Sequence, residues 1–195
     1  MQNYLVIYAE RPSAGHVKEA LAKEIGEEEA YGVYARIVFE LLFELLNSDL
    51  DDTQLEIWGL TPGDVPFFCE AFPEVRTRLQ IGDDLGDRLA TTFEKSFRAE
   101  ANNVVIVLAE VPKIETRIIK EAMQKLEKVP VVLGPTSNEG IYLLGMQNPG
   151  VPIFDGIDWE RDKVYAKIIE NLRQVDIDYL MLEAVSYTHL RAHET

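Results

Sequence analysis

The run Asn103–Ala109 is apolar at every position after its first residue and lies between two stretches with helical spacing. A strand with one face in water alternates apolar and polar side chains, so a run without alternation is covered on both faces. Such strands occupy the middle of parallel sheets, whose crossover connections lay helices over both faces. The rest of the chain fits this pattern. Strand-like runs at Tyr4–Ala9, Gln54–Trp58, Val75–Leu79, Val129–Leu133, Ile141–Met146 and Val175–Leu182 are interleaved with helix-patterned segments. Leu89, Phe93 and Phe97 share one face of a helix expected over Leu85–Ala101. Ile118, Ile119, Ala122, Met123 and Leu126 do the same for a helix over Glu115–Lys128, and another is expected over Glu160–Leu172. A short apolar segment, Val65–Phe72, sits between two strands. The pattern predicts an α/β fold of three layers, α/β/α, around a mostly parallel sheet.

At 195 residues the chain is long enough for one domain with a proper core. Its net charge of −15 repels phosphate backbones and anionic lipid, which excludes nucleic acid and membrane surfaces as expected partners. The most apolar stretch, Tyr31–Leu46, carries Arg36, Glu40 and Glu44 at i, i+4 and i+8. That is one polar stripe on a nearly buried helix of a soluble protein, not a membrane span. Cys69 is the single cysteine, so no intrachain disulfide can form, and its phenylalanine neighbours mark it as packing. No secretory leader is visible, and the expected location is cytoplasmic. The last ten residues, SYTHLRAHET, abandon the strand pattern and resemble a translated adapter sequence. The expected domain is therefore 1–185, and the histidine pair His189 and His193 in 186–195 is set aside as a metal site.

In a parallel sheet the loops leaving the carboxyl ends of the strands converge on one crevice. Four segments are placed to reach it. Glu10–Lys18 contains Arg11, Gly15 and Lys18 and reads either as a plain βα turn or as a phosphate cradle. It is not a Walker A loop, because no Gly-Lys-Ser/Thr is present. Gln80–Arg88 opens a helix, with Gly82 and Gly86 permitting close approach and an Asp at 83 or 84 able to cap. Glu110-Val111-Pro112 follows the central strand, where a carboxylate either faces water or holds a divalent metal against phosphates. Finally, Gly134–Gly145 frames a polar loop with Ser137, Asn138 and Glu139, which reads as a hairpin tip or as a site.

From about Tyr4 to Glu183 these segments, in this order and spacing, resemble the bacterial glycosyltransferase-A-like family related to molybdopterin-guanine and 2-phospholactate nucleotidyltransferases. Gln80, Gly82, Asp84, Leu85, Gly86 and Arg88 match its Q-x-G-x-D-L-G-x-R pattern. Gly134, Pro135, Gly140, Tyr142, Leu143 and Gly145 match a G-P-x-x-D-G-G-Y-Y-L-x-G pattern, and Phe154, Ile157 and Trp159 match F-x-x-I-x-W. The departures fall on charged positions. Glu10 stands where the family has Lys, Ala20 where it has Arg, Glu110 where it has the Asp of D-x-P, and Asn138-Glu139 where it has Asp-Gly.

The resemblance implies the nucleotide-diphospho-sugar transferase fold and a site for a nucleotide or nucleotide-sugar and a small acceptor. Arg11, Gly15, Lys18, Asp84, Gly86 and Arg88 are the implied nucleotide and phosphate contacts. Glu110 and Asn138 are the implied holders of Mg²⁺ or Mn²⁺, and Glu139, Gly140, Tyr142 and Trp159 the implied substrate pocket. Three functions are compatible with it: metal-assisted glycosyl transfer, nucleotidyl transfer, and binding or scaffolding by a relative that has lost the metal chemistry.

Overall fold

The computed structural model describes residues 2–13, 22, 26–50, 52–109, 111, 114–161 and 163–185. Alternation along β1 (Asn3–Ala9) divides the fold. Leu5, Ile7 and Ala9 enter one apolar layer, while Tyr4, Val6 and Tyr8 enter the other, and all six are buried. β4 (Val104–Leu108) is built the same way, with Val105 and Val107 on the first side and Val104 and Ile106 on the second. Both faces of the central strands are thus covered, as their unbroken apolar sequence requires.

The first layer is supplied by α1 (Glu27–Leu46), α2 (Asp64–Ala71) and α4 (Thr116–Leu126). Tyr34, Val38, Leu42 and Leu45 of α1, Phe68 of α2, and Ile119, Ala122 and Leu126 of α4 pack there. The second layer holds α3 (Leu85–Arg98) and α5 (Val164–Gln174) through Leu89, Phe93, Ile168 and Leu172. Glu27, Glu28 and Glu29 fill the first turn of α1, where the helix dipole favours negative charge. Segment 64–71 is a full helix rather than only a short apolar connection: Asp64 starts it and Phe68 faces the sheet.

The remaining strands are β2 (Thr53–Gly59), β3 (Arg76–Leu79), β5 (Val131–Pro135), β6 (Ile141–Met146) and β7 (Tyr179–Met181). The seven strands run in the order β3-β2-β1-β4-β6-β5-β7. β1 pairs in parallel with β2 and β4, β2 with β3, and β5 with β7. Only β6 is reversed, antiparallel to both β4 and β5. The final strand is shorter than the Val175–Leu182 run suggests, because Asp176 turns the chain with φ of 54°.

This order fixes the candidate site. β1 continues through β2 on one side and through β4 on the other, so the crossovers diverge at β1 and leave a crevice at the carboxyl ends. Residues following β1, β2, β3, β4 and β5 all reach that edge, and reversed β6 starts from it.

Candidate functional site

The crevice is lined by Tyr8, Ala9 and Glu10 at the end of β1, Leu60 after β2, Gln80 after β3 and Leu108 of β4. Tyr34 of α1 and Leu85 and Arg88 of α3 complete it around a cavity of about 120 Å³. Tyr34 fixes the first loop from above: its hydroxyl accepts from Glu10 N at 3.1 Å and donates to Glu10 O at 3.2 Å.

Arg88 brings the positive charge. Its Nε is buried and has no hydrogen-bond partner among the described residues. A buried donor left unpaired is costly, so the guanidinium is poised for an acceptor that enters the cleft. The floor beneath it is held by Tyr8, whose hydroxyl donates to Arg88 O at 2.8 Å and lies 2.6 Å from Thr92 Oγ1. Burial pushes the Tyr8 phenol well above its usual range, against smaller opposing effects of Thr92 and the Arg88 charge. The phenol is therefore neutral at any ordinary pH and acts as a fixed hydrogen-bonding group.

The two motif residues before Arg88 serve geometry. Asp84 is the N-cap of α3, its carboxylate accepting from Asp87 N at 2.8 Å. Gly86 is buried, and a Cβ there would run into the indole of Trp159. Trp159 therefore rests on the backbone of the first turn of α3 and packs beside Phe154, and does not line the cleft. Gly82 has φ of 151°, open to glycine, and a Cβ there would come within 2.5 Å of Arg88 N.

Arg11 stands beside Asp64, half exposed. Its Nε lies 3.9 Å from Asp64 Oδ1, and its backbone N donates to the same oxygen at 3.1 Å. Asp64 is buried and also accepts from Thr61 N at 2.6 Å, so one carboxylate ties the loop after β1 to the loop after β2. Gly15, Lys18 and Glu110 lie outside the described residues.

The 136–140 turn stands at the same edge of the sheet. Thr136 Oγ1 donates to Asn138 Oδ1 at 2.6 Å and accepts from Gly140 N at 3.0 Å. Glu139 takes φ of 67°, unusual for a residue with a side chain, and its carboxylate pairs with Lys163 at 2.7 Å. Its carbonyl accepts from Tyr165 N, which anchors the turn to the start of α5. Tyr142 does not line the cleft: it is fully buried in the first layer, and its hydroxyl donates to Glu183 O at 3.1 Å. Its role is in the core because β6 is covered on both faces.

Among the described residues no three acidic, histidine or cysteine side chains gather as a metal site. Of the two implied metal holders, Asn138 offers a neutral oxygen, Oδ1, and Glu110 lies outside the described residues. A larger groove of about 600 Å³ follows the outer side of α3, past Asp83, Asp87 and Glu94 to Pro149 and Gly150. Its carboxylates make it a poor seat for phosphate, so the smaller crevice holding Arg88 is the candidate site. Among the described residues no helix is long and apolar enough to cross a membrane.

Residues 44–161 match the model of a family described as uncharacterised proteins conserved in bacteria, DUF2064. No curated protein matches the sequence. Among solved structures, a protein provisionally assigned as a nucleotide-diphospho-sugar transferase from Desulfovibrio desulfuricans G20 superposes with a TM-score of 0.87. It is 23% identical, and the match covers 99% of this chain and 90% of that one. CMP:2-keto-3-deoxy-manno-octonic acid synthetase in complex with CTP matches at a TM-score of 0.56 and 12% identity, over 95% of this chain and 90% of that one. A mannosyltransferase from Pyrobaculum calidifontis in complex with GDP-Man and Mn²⁺ matches at 0.57 and 10% identity, over 98% of this chain and 58% of that one. At these identities the likeness is one of fold: the chain has the nucleotide-diphospho-sugar transferase architecture.

Proposed function

Because the chain belongs to the DUF2064 family and carries this architecture, we propose that it is a transferase that binds a nucleotide-sugar in the crevice at the end of β1. The observation that carries the reading is Arg88: a guanidinium with a buried, unpartnered Nε at the switch point of the sheet. Such a group is matched by phosphate oxygens, which accept charge-assisted hydrogen bonds. In the reaction, an acceptor hydroxyl oxygen bonds to the anomeric carbon of the donor sugar. The bond from that carbon to the phosphate oxygen breaks, and the nucleoside diphosphate leaves with the electron pair. The acceptor proton passes to a base. Arg88, with Lys18 from the first loop, stabilises the negative charge that develops on the leaving phosphate.

A divalent metal would be held by Glu110, with Asn138 as neutral partner, and would offset charge on the phosphates. Glu110 lies outside the described residues, and no step above depends on the metal. Two observations favour a second reading, a relative that binds nucleotides without catalysis. Glu139 is neutralised by Lys163, and Asn138 carries no charge. Nucleotidyl transfer from a nucleoside triphosphate, the chemistry named for several proteins of this fold, uses the same cleft.

Calorimetric titration with UDP, GDP and CDP in the presence of Mn²⁺ tests the proposal. At least one is expected to bind, with Arg88→Leu weakening it roughly tenfold to a hundredfold, the worth of a charge-assisted hydrogen bond. Absence of heat with all three overturns it. Metal-dependent hydrolysis of a sugar nucleotide that disappears in Glu110→Ala removes the non-catalytic alternative.

A further inference from the structure

Tyr8 and Thr92 bury two hydroxyls beside a layer of apolar side chains. Tyr8 is 4% exposed and Thr92 fully buried, and the layer around them includes Val6, Leu89, Phe93 and Ile106. Phenylalanine and valine would fill the same space with no polar atom to satisfy, so bulk does not account for the pair. The hydroxyls have a specific use. Tyr8 Oη donates to Arg88 O at 2.8 Å and, with that proton spent, accepts from Thr92 Oγ1 at 2.6 Å. Thr92 lies one turn after Arg88, so its hydroxyl and the Arg88 carbonyl stand on the same side of α3, toward β1. Arg88 N is engaged as well, donating to Asp84 O at 3.1 Å. Both backbone groups of Arg88 are thus held, the N by the cap of its own helix and the O by β1.

The guanidinium itself is not fixed in this way. Its buried Nε has no partner among the described residues, so no hydrogen bond at that atom aims the side chain before a ligand arrives. Its aim depends on where the backbone sets Cα and on the walls of the cleft. A buried, fully used polar cluster fixes that placement more sharply than apolar contact does, because a small sliding motion breaks hydrogen bonds that apolar side chains would tolerate. We infer that Tyr8 and Thr92 are positioning residues for Arg88: their hydroxyl pair pins the Arg88 carbonyl to β1 and so aims the guanidinium at the phosphate of the bound nucleotide. This rests on the proposed nucleotide site and adds to it the contact that presets its cation. Tyr8 lines the cleft, but its one proton goes to Arg88 O, so it acts through the arginine and not as a donor to the ligand. A cation set in advance loses less freedom on binding than one the ligand has to order.

A double-mutant cycle in the full chain tests it, with UDP, GDP and CDP as calorimetric probes and the best-bound of the three carried forward. Tyr8→Phe is expected to weaken that nucleotide about three- to tenfold, the worth of one neutral hydrogen bond. Thr92→Val is expected to weaken it in the same direction by a smaller factor. In an Arg88→Leu background, where no guanidinium is left to aim, adding Tyr8→Phe should change the affinity less than about twofold. A hydroxyl that merely supports the fold, or that touches the ligand itself, gives instead losses that multiply in the double variant. Such multiplication, or unchanged binding in Tyr8→Phe, overturns this inference and leaves the nucleotide site standing. If Tyr8→Phe fails to fold, Thr92→Val with Arg88→Leu closes the same cycle under the same criteria. Wild-type binding that Arg88→Leu leaves intact also overturns the inference, because Arg88 is then not a ligand contact. Failure of all three nucleotides to bind the wild type overturns both this inference and the nucleotide site.

Discussion

Asp64 is the residue whose loss should be felt most at the mouth of the cleft. In Asp64→Ala, Thr61 N and Arg11 N lose the carboxylate that accepts from them at 2.6 and 3.1 Å. Hydrogen bonds to a charged acceptor contribute about 1.5–3 kcal/mol each. Both donors are only partly buried and regain some water, so the lower figure applies, and the pair amounts to about 3 kcal/mol. The Arg11 ion pair adds little: at 3.9 Å with Arg11 half exposed, such a contact is worth less than about 1 kcal/mol. For a chain of this size each kcal/mol moves the melting temperature by about 2–4 °C. Asp64→Ala should thus melt roughly 6–12 °C lower, Arg11→Ala less than about 4 °C lower, and Asp64→Asn between them because it keeps one acceptor oxygen. Scanning calorimetry measures the three, and amide exchange at Thr61 and Arg11 reports the local opening directly. Equal losses for Asp64→Ala and Arg11→Ala would refute the view that the carboxylate acts through backbone amides.

Two further outcomes follow from contacts near the site. Gly86→Ala gains up to about 1 kcal/mol of helix propensity but drives a methyl into the Trp159 indole, a kind of overpacking that costs about 1–3 kcal/mol. A net loss in chemical denaturation is expected, and a gain would show that Trp159 does not rest on this turn. Tyr142 titrates at about 12 instead of 10.0, chiefly through burial, then through the charges of Glu121 and Glu183, with Arg117 opposing. Its neutral form favours the fold, so that contribution is intact below about pH 10 and is lost as pH rises through 12. Tyr142→Phe should remove on the order of 2 kcal/mol from the alkaline decline in stability between pH 10 and 12, measured by urea unfolding. An unchanged decline would contradict it.

The layers were legible because they rest on local patterns. Unbroken apolar runs at β1 and β4 announce strands covered on both faces, and the spacing of Leu89, Phe93 and Phe97 announces one face of α3. The direction of β6 is a matter of pairing between distant segments, which periodicity does not encode. At the site, Arg88 was visible as a type and a spacing, and its side chain lines the crevice. What each side chain does there was hidden, because the deciding partners are far apart in sequence. Arg11 is engaged by Asp64, fifty-three residues on. Tyr142 and Trp159 match the family pattern as packing residues, and a motif does not distinguish an aromatic ring that touches substrate from one that supports the wall. Gln80 was visible as the first residue of a motif, but the partner that fixes its amide, Trp58 O, lies on another strand.

Both tryptophans of the chain flank the crevice without entering it. Trp58 lends its carbonyl to Gln80, and Trp159 lies against the turn that carries Arg88. The indoles are therefore native optical reporters, one behind each half of the cleft. Trp58 is sealed from water and has the Arg78 and Lys95 charges over its ring, whereas Trp159 is only half-buried. Their emission should separate by wavelength and by access to iodide. A ligand that draws on the Gln80 side and one that draws on the Arg88 side can then be told apart in an unlabelled protein.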